Sequence, residues 1–402
     1  MSVRFSLIYP TRHRPAFISQ ALRFLEKQRY QGFEVIVSDN YIDPVLSCEN
    51  ECLNSPLANL KYVRPPKPVG MVANWNYAMQ FATGDYVCYL TDKMFLLPDT
   101  LQKANICIEK SQAEIVSWVD NSYSPKKFPD YFGEGIYVEA SSSVPIGSEY
   151  TAYDPLEELS KKGIAAVSRN EQDKSSYARG KICFGAYSHE LCNKIVERSS
   201  ALFHNVSPDY TSMILGLSLA VTAAEIRKPG IVHIHTNLSN GGLGDIHDDL
   251  ALKFLNDLDN KEDILCNYLV PELYCSLHNC VAHDYLTLKK KYDLKFHFEP
   301  TNWLVYITED LDIQGRHWSS PEVEKQQRAL LRGYIDNLPR RDQNRYQQKL
   351  EERAKVNKRK SCVQYSRRVI KGLLPEMVIP LGRRLLNLQP LQHFNNIEDV
   401  LK

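Results

Sequence analysis

The chain has 402 residues and a formal net charge of +1, with 43% hydrophobic and 24% charged residues. This length predicts about two domains. The composition is ordinary for a soluble globular protein, and the balanced charge gives no argument for binding to nucleic acid.

The ten cysteines show no disulfide or zinc-site pattern. Residues 1–14 contain too short an apolar stretch for a signal peptide, so we expect reduced thiols and a cytoplasmic protein. The longest apolar run, Leu215–Ala224, is too short to span a bilayer. A substrate held in a membrane would therefore have to be met at the membrane surface.

Over the first 120 residues, short apolar runs alternate with segments of helical periodicity. Helices are predicted after Pro15, over Met71–Phe81 and after Pro98. The alternation predicts an α/β fold with a mostly parallel sheet covered by helices, which binds ligands at the carboxyl ends of its strands. The predicted strands are Val3–Tyr9, Phe33–Val37, Leu60–Val63, Tyr86–Leu90 and Ile115–Val119.

The rest of the chain is less uniform. Residues 122–181 are predicted to form loops with short elements, followed by regular structure at residues 182–187 and a strand at Ile231–His235. Helices are predicted from His189 to about Arg198 and over Asp209–Ala223. From Asp248 onward, helical periodicity dominates. We therefore expect an α/β domain at residues 1–247 and a helical C-terminal appendage at 248–402, basic near 355–384.

Polar side chains follow three of the predicted strands, and in a parallel sheet these strand ends meet at one edge. Carboxylates there can accept hydrogen bonds from a nucleobase or a ribose, and cations can hold a diphosphate. Each residue alone also has an ordinary reading as turn chemistry, a helix cap or a solvated charge. The residues are Pro10, Thr11, Arg12 and Arg14 after the first strand, Asp39 and Asn40 after the second, and Thr91, Asp92 and Lys93 after the fourth.

Four segments carry a recognisable pattern: Ser6–Arg12, Phe33–Asn40, Gly70–Asn76 and Gly84–Asp92, with Leu97-Pro98 following the last. They resemble glycosyltransferase family 2, whose members have the Rossmann-like GT-A fold and invert the sugar configuration. The resemblance covers residues 3–105 well, continues more weakly to about residue 245 and does not reach the C-terminal part. It implies that Thr11 lies by the base and ribose, that Asp39 accepts from the base, and that Asn74 lies near the nucleotide.

The resemblance also places Asp92 in the family's acidic metal motif, where the sequence departs from the pattern. The family has two or three acidic residues at this turn, whereas this chain has Thr91-Asp92-Lys93-Met94. A divalent cation, Mg²⁺ or Mn²⁺, could still be held by Asp92 with diphosphate and water oxygens. Alternatively, Lys93 is a fixed positive charge that neutralises the diphosphate leaving group. A third reading is that Lys93 points into solvent.

The second half of the chain is expected to supply the residues on the side of the site where the sugar acceptor binds. Asp209, at a predicted helix start, is the candidate general base, and its ordinary reading is a first-turn carboxylate that complements the helix dipole. Asp120 is the second candidate. The resemblance suggests a histidine near here as a metal ligand or diphosphate contact, and His235 is favoured over His233 because it is nearer the strand end. Both histidines are also consistent with structural hydrogen bonding. The glycine-containing segment 237–244 is a candidate lid over the donor.

Residues 354–374 contain seven Lys or Arg residues and no acid, next to apolar residues. This pattern fits a surface that rests on an anionic membrane. One alternative is a helix that packs on the catalytic domain and exposes a basic face. The other is binding to nucleic acid, for which no recognised motif is present. We therefore expect a cytoplasmic enzyme that can lie at the inner face of the membrane.

These patterns together predict a glycosyltransferase that moves a sugar from a nucleotide-sugar to a hydroxyl of a sugar or lipid-linked glycan, in surface polysaccharide or glycoconjugate synthesis. The alternative is a non-catalytic nucleotide-binding scaffold of a glycan assembly complex, suggested by the acid that Lys93 replaces. A sugar-phosphate nucleotidyltransferase would show a glycine-rich loop after the first strand, and residues 10–15 contain no glycine.

Overall fold

The computed structural model of the protein describes residues 2–165, 173–204, 206–236, 247–258, 260–313, 315–355 and 391–401. Thirteen strands are assigned in this part of the chain. In chain order they are β1 (Phe5–Thr11), β2 (Phe33–Asp39), β3 (Leu60–Val63), β4 (Tyr86–Tyr89), β5 (Met94–Leu96), β6 (Ile115–Ser117), β7 (Asp120–Lys127), β8 (Asp130–Val138), β9 (Tyr150–Tyr153), β10 (Gly185–Ser188), β11 (Ala223–Ile226), β12 (Ile231–Ile234) and β13 (Leu391–Phe394).

Helices flank the strands, and further helices follow β12. The first eight are α1 (Pro15–Leu25), α2 (Glu49–Leu53), α3 (Met71–Met79), α4 (Thr100–Ser111), α5 (Pro155–Ile164), α6 (Lys174–Ala178), α7 (His189–Ser199) and α8 (Pro208–Leu219). The later helices are Asp248–Asn256, Lys261–Cys266, Leu277–Tyr292, Pro300–Leu311, Pro321–Asp336 and residues 340–355. Short 3₁₀ turns lie at Pro44–Leu46, Ile182–Phe184 and Ile397–Leu401.

The larger sheet has eight strands in the order β3-β2-β1-β4-β10-β6-β11-β9. Strands β3, β2, β1 and β4 run parallel, and every residue of β1 and β2 is buried, as expected for strands covered by helices on both faces. The register sets Thr11 opposite Asp39, and the Leu90 N–H donates to the Ile8 carbonyl. The predicted α/β fold, with the ends of three early strands at one edge, is confirmed.

The prediction that residues 122–181 are mainly loops is wrong. Strands β7 and β8 form a hairpin within a second sheet, of order β13-β8-β7-β12-β5, and helix α5 follows β9. The outer half of β7 is largely exposed and contains Pro125, so it lacks the apolar alternation by which a strand is recognised. Strand β5 was also missed, since it has only three residues.

The C-terminal part is helical as expected up to residue 355, but it ends in a strand. Strand β13 pairs antiparallel with β8, Ile397 is fully buried, and Glu398 accepts hydrogen bonds from Gln20 and Arg23 of α1. The end of the chain is therefore part of the α/β body. The basic segment near 355–384 lies outside the described residues except for Lys355, and the domain division at residue 247 stays a prediction.

Two further features bear on the sequence predictions. Asp248, where the predicted helical appendage begins, is 1% exposed and accepts hydrogen bonds from the backbone N–H and the hydroxyl of Ser319. Across the ranges that the structure covers, no helix is long and apolar enough to cross a membrane.

Glu34, on the buried strand β2, gives the fold a testable pH dependence. Its carboxylate accepts hydrogen bonds from Ser6 Oγ at 2.7 Å, Thr83 N at 2.6 Å and Lys61 Nζ at 2.9 Å. Burial alone would raise the pKa of Glu34, but Lys61, Ser6 and Thr83 outweigh it and lower the pKa to about 2. The ionised carboxylate therefore stabilises the fold at neutral pH, and this contribution is lost as the pH falls from about 4.5 to about 2.

We expect Glu34→Gln to lower the free energy of unfolding at pH 7 by about 2–3 kcal/mol. The difference from the unmodified protein should shrink at pH 3, since the native carboxylate then begins to lose its advantage. Urea denaturation at the two pH values measures both quantities. An equal difference at pH 7 and pH 3 would mean that the charge of Glu34 does not stabilise the fold.

Candidate active site

Asp39 ends strand β2 and is fully buried. Its Oδ2 atom accepts hydrogen bonds from Cys48 N at 2.7 Å, Ser47 Oγ at 3.2 Å and Tyr62 OH at 3.1 Å. Its Oδ1 atom is buried and has no hydrogen-bond partner among the described residues. A buried acceptor left unsatisfied is costly, and a bound ligand that donates a hydrogen bond removes that cost. The protein thus fixes the carboxylate through one oxygen, and the other oxygen can accept a further hydrogen bond.

Asn40, Arg12 and Asn74 connect the end of β2 to the start of α3. The Asn40 amide donates to the Val69 carbonyl at 2.8 Å and accepts from the Val69 N–H at 3.0 Å, and Arg12 donates to the carbonyls of Asn40 and Val69. Asn74 accepts from the Ser38 hydroxyl at 2.8 Å and donates to the Ser38 carbonyl at 3.2 Å. These three residues hold the end of β2 and the start of α3 in place around the candidate site. Direct contacts of these residues with a nucleotide stay a prediction.

Pro10, Thr11 and Thr91 lie at the same edge. Pro10 is opposite Ser38 and Thr11 opposite Asp39 in the β1–β2 register. Thr91 follows β4, and its hydroxyl oxygen is buried with no hydrogen-bond partner in the described parts of the chain. Like Asp39 Oδ1, this oxygen can take part in ligand binding without breaking an internal hydrogen bond.

Asp92 lies within a set of positive charges. Its Oδ2 atom is 3.4 Å from Arg14 Nε, and the residue is 9% exposed. Burial raises the pKa of Asp92, and Arg14, Lys93, the Thr11 hydroxyl and His233 oppose that rise. Burial also lowers the pKa of Lys93, while Asp92 favours its charged form. The turn therefore presents one carboxylate with two basic side chains beside it.

This arrangement does not fit a cation site built by the protein. A hard divalent cation takes about six or more oxygen ligands, and Asp92, which faces Arg14, is the sole carboxylate of this turn. No group of three or more His, Cys, Asp or Glu side chains that could hold a metal occurs among the residues described. Burial lowers the pKa of His235, which keeps its ring neutral near pH 7. The metal-ligand roles of Asp92 and His235 stay predictions.

Asp120, the second candidate base, is already paired. It is 4% exposed, its Oδ1 atom is 2.7 Å from Lys174 Nζ, and its Oδ2 atom is 3.6 Å from His233 Nδ1. Burial alone would raise the pKa of Asp120, but His233 and Lys174 outweigh it and lower the pKa. A buried carboxylate held as an ion by two partners is a poorer proton acceptor than a more accessible one.

Asp209 is more accessible than Asp120. It lies in the first turn of α8, its side chain is 32% exposed, and its Oδ2 atom is 3.7 Å from Lys181 Nζ. Strand β10 runs antiparallel to β4, so Lys181 and the turn that follows it approach the carboxyl end of β4. Asp209 is therefore held on the side of the sheet where Asp92 and Lys93 lie.

The loop that leads into α8 is fixed at several points. The Asn76 amide of α3 makes two hydrogen bonds with the Phe203 backbone, at 2.9 and 3.1 Å. The Asp284 carboxylate, fully buried on the C-terminal helix Leu277–Tyr292, accepts from the N–H groups of Val206 and Ser207 at 2.7 and 3.0 Å. Helix α3 and a C-terminal helix thus both position the segment that carries Asp209.

Sequence reasoning missed several of these residues. Asn76 is the last residue of Gly70–Asn76, one of the four segments that resemble the family, and this membership is the signal that could have identified it. Lys181 and Asp284 carry no comparable signal, because they approach Asp209 only through tertiary packing. The candidate lid at residues 237–244 lies outside the described residues.

No curated protein matches the chain in sequence. The fold is similar to that of S. aureus TarS residues 1–349 in complex with UDP-GlcNAc, with 13% identity, 84% of this chain and 82% of that chain covered, and a TM-score of 0.45. It is also similar to the mannosyltransferase PcManGT from Pyrobaculum calidifontis in complex with GDP-Man and Mn²⁺, with 16% identity, 86% and 84% coverage, and a TM-score of 0.39. Similarity at this level identifies neither a donor nor a metal for this chain.

The sequence itself matches a family model. Residues 6–132 match the model described as "Glycosyl transferase family 2", a range that contains β1 to β4, α3 and every candidate nucleotide-binding residue from Pro10 to Asp92. The match confirms the resemblance on which the sequence prediction rested. Over residues 6–132 the chain is similar to family 2 glycosyltransferases, and the rest of the chain lies outside this match.

Proposed function

We propose that the protein transfers a sugar from a nucleotide-sugar donor to an acceptor hydroxyl, with inversion at the anomeric carbon. The observation that carries the proposal is the buried Asp39 Oδ1 atom, which has no hydrogen-bond partner within the described chain. It lies at the end of β2, where the ends of β1 and β4 bring Arg14 and Lys93 to the same edge. A donor with a hydrogen-bonding base at one end and a diphosphate at the other suits this arrangement.

In this proposal Asp39 accepts a hydrogen bond from a base N–H, Thr11 lies by the ribose, and Arg14 and Lys93 face the diphosphate. Asp209 removes the proton of the acceptor hydroxyl as that oxygen attacks the anomeric carbon. The bond between the anomeric carbon and the phosphate oxygen breaks, and the nucleoside diphosphate leaves with the bonding electron pair. A direct displacement needs one base, one stabilised leaving group and accurate placement.

The cations beside Asp92 support a leaving-group role for the protein's own charges. Arg14 Nε is 3.4 Å from the Asp92 carboxylate, and Lys93 adjoins it in sequence and is largely buried beside it. Positive charges fixed in a partly dry site stabilise the charge that develops on the departing diphosphate. A Mg²⁺ or Mn²⁺ ion on Asp92 and His235 is the competing proposal, and the two differ in their sensitivity to chelation.

The donor site can be tested at Asp39. We expect Asp39→Ala to weaken binding of a nucleoside diphosphate about 10- to 100-fold, because the loss of a charge-assisted hydrogen bond costs about 1.5–3 kcal/mol. Isothermal titration with UDP and GDP measures the change. These two are the first probes because similar folds have been solved with UDP-GlcNAc and GDP-Man.

Asp43→Ala is the matched control. Asp43 lies in the loop that follows β2, is exposed, and turns its carboxylate to the Val45 N–H at 3.0 Å. It should bind the nucleotide as the unmodified protein does. Equal affinities for the unmodified protein and Asp39→Ala would remove Asp39 from the donor site.

We further propose that the acceptor is a sugar or a lipid-linked glycan, met at the inner face of an anionic membrane in the synthesis of a surface polysaccharide or glycoconjugate. The support is the acid-free run of seven basic residues over 354–374. Lys and Arg residues near an anionic surface each contribute about 1 kcal/mol. After the basic segment, the chain returns to the α/β body at β13, which pairs with β8.

This attachment decides how the membrane proposal is tested. Truncation before the segment would delete β13, so the better variant replaces Lys358, Arg359, Lys360, Arg367 and Arg368 by Gln. We expect the variant to co-sediment with anionic vesicles far less than the unmodified protein, and the difference to vanish at high salt. Vesicles of neutral lipid are the control. Equal sedimentation of both proteins with anionic vesicles at low salt would assign the basic run to another role.

A non-catalytic scaffold is the second candidate function. The observation in its favour is that Asp92 is the sole acid of its turn, with Lys93 in the next position. A scaffold would bind the nucleotide-sugar as proposed and release no nucleoside diphosphate from it.

A further inference from the structure

Lys181 is a buried cation next to Asp209, the candidate general base. It is 2% exposed and lies just before the 3₁₀ turn Ile182–Phe184. Its ammonium nitrogen is 3.8 Å from the ring centroid of Tyr177 and 3.9 Å from that of Tyr210. The Asp209 Oδ2 atom is 3.7 Å from the same nitrogen. Two aromatic faces and one carboxylate therefore surround the charge.

A buried lysine is costly unless its charge is compensated. The aromatic rings compensate part of that cost through cation–π interactions, and Asp209 supplies the opposite charge. The interaction is stronger than a surface ion pair because one partner is out of water, even though Asp209 itself is partly exposed. The charge of Lys181 therefore acts on Asp209, which lies at the candidate acceptor side, and not on a remote surface residue.

The space next to Lys181 is too small to be a sugar subsite. Tyr177, Tyr210 and Trp303 line a cavity of about 40 Å³ together with Lys181. A single water needs roughly 10–15 Å³ of such space, so the cavity takes a few waters and no sugar ring. The position of Lys181 is therefore better explained by Asp209 than by a bound acceptor.

We propose that Lys181 is a positioning residue for the general base: its ammonium group, 3.7 Å from Asp209 Oδ2, orients the carboxylate towards the acceptor hydroxyl and places a positive charge beside it. This inference rests on the proposed function, in which Asp209 takes the acceptor's proton. No assignment drawn from the sequence or the family match includes Lys181.

Other groups also act on Asp209. Asp284 is a second carboxylate near it, and burial raises the pKa of Asp284 to about 8. The remaining titratable side chains that face Asp209 are tyrosines and thiols, and burial raises the pKa of Cys183 and Tyr187 well above their usual values and that of Cys280 to about 12. These groups stay neutral near pH 7, and among the described residues Lys181 is the cation that pairs with Asp209. The groups that face Asp209 are Lys181, Tyr177, Tyr210, Asp284, Cys183, Tyr187 and Cys280.

Lys162 offers a matched control. It lines the same cavity, is largely buried, and pairs with Glu158 at 3.5 Å instead of with Asp209. Replacement of either lysine by Met removes one buried ammonium group and keeps most of the side-chain volume. The two variants therefore share any general loss of stability and differ in the charge presented to Asp209.

The test is the pH dependence of nucleoside diphosphate release from a nucleotide-sugar, with water or an added glycan as acceptor. In Lys181→Met we expect kcat to fall about tenfold at pH 7 and the acid limb of its pH profile to move about one unit to higher pH. The KM for the nucleotide-sugar should change less than about twofold. Lys181→Arg should restore the acid limb, and Lys162→Met should leave it in place.

The outcomes separate this inference from the proposed function. If release requires Asp209 but Lys181→Met keeps the unmodified pH profile, the role of Lys181 is overturned and the proposed function stands. If the unmodified protein releases no nucleoside diphosphate under any condition, the proposed function fails and the role of Lys181 fails with it. If Lys181→Met does not fold, Lys181→Gln and Lys181→Arg carry the same comparison, and an identical acid limb in both contradicts the inference.

Discussion

Asp209→Asn is expected to lower kcat about 10²- to 10⁴-fold, the range found when a general base is removed. The amide cannot take the proton of the acceptor hydroxyl, whereas the proposed donor site at Asp39 and Lys93 is untouched. Donor affinity should therefore change less than about threefold. Steady-state kinetics with a nucleotide-sugar, together with calorimetry on the same variant, separate the two effects.

Asp120→Asn is the comparison for that experiment. Asp120 is ion-paired with Lys174 at 2.7 Å, so its replacement should act through local structure and lower kcat less than Asp209→Asn does. A large loss of kcat in Asp120→Asn with normal kcat in Asp209→Asn would reverse the assignment. Normal kcat in both variants would leave the reaction without a base among these carboxylates.

Lys93→Met is expected to lower kcat about 10²-fold, since fixed charges at a departing oxyanion typically contribute that much or more. The physical reason is that Lys93 lies in the turn where the family has a second acid and adds positive charge beside Asp92. Asp92→Asn should also lower kcat strongly, because Asp92 orients Arg14 through their contact at 3.4 Å. Chelation with EDTA should reduce the activity of the unmodified protein only in part.

The control for Lys93 is Lys103→Met, which removes a partly exposed ammonium group that pairs with Asp99 on the surface. It should keep normal kcat. Complete loss of activity in EDTA, restored by Mn²⁺ or Mg²⁺, together with near-normal kcat in Lys93→Met, would show that a divalent cation neutralises the diphosphate.

Strands β1, β2 and β4 were predictable because all of their residues are buried. Such strands are continuous apolar runs in the sequence, and β1, β2 and β4 all lie within one or two residues of their predicted places. The β7–β8 hairpin was not predictable in this way, since its outer residues are exposed and polar. Strand β13 follows a long basic stretch and pairs with a strand more than 250 residues earlier, a partner that no local pattern indicates.

The candidate site likewise contains residues that the sequence predicts and residues that only tertiary packing brings together. Asp39 is the last residue of β2 and Asp92 lies three residues after β4, so the rule that parallel strands bind ligands at their carboxyl ends selects both as candidates. The charge environment of Asp209 depends on contacts between distant segments, Lys181 from before β10 and Asp284 from a C-terminal helix. Sequence periodicity contains no information about such pairings, which arise only when the packed helices meet.

Release of nucleoside diphosphate from a panel of UDP- and GDP-sugars, with and without glycan or lipid-linked acceptors, tests the catalytic role most directly. We expect the unmodified protein to release nucleoside diphosphate from at least one donor, faster with an acceptor present. Asp39→Ala should need far more donor, and Asp209→Asn should show almost no release at saturating donor. Tight donor binding by the unmodified protein without any release across the panel would contradict the transferase and support the scaffold.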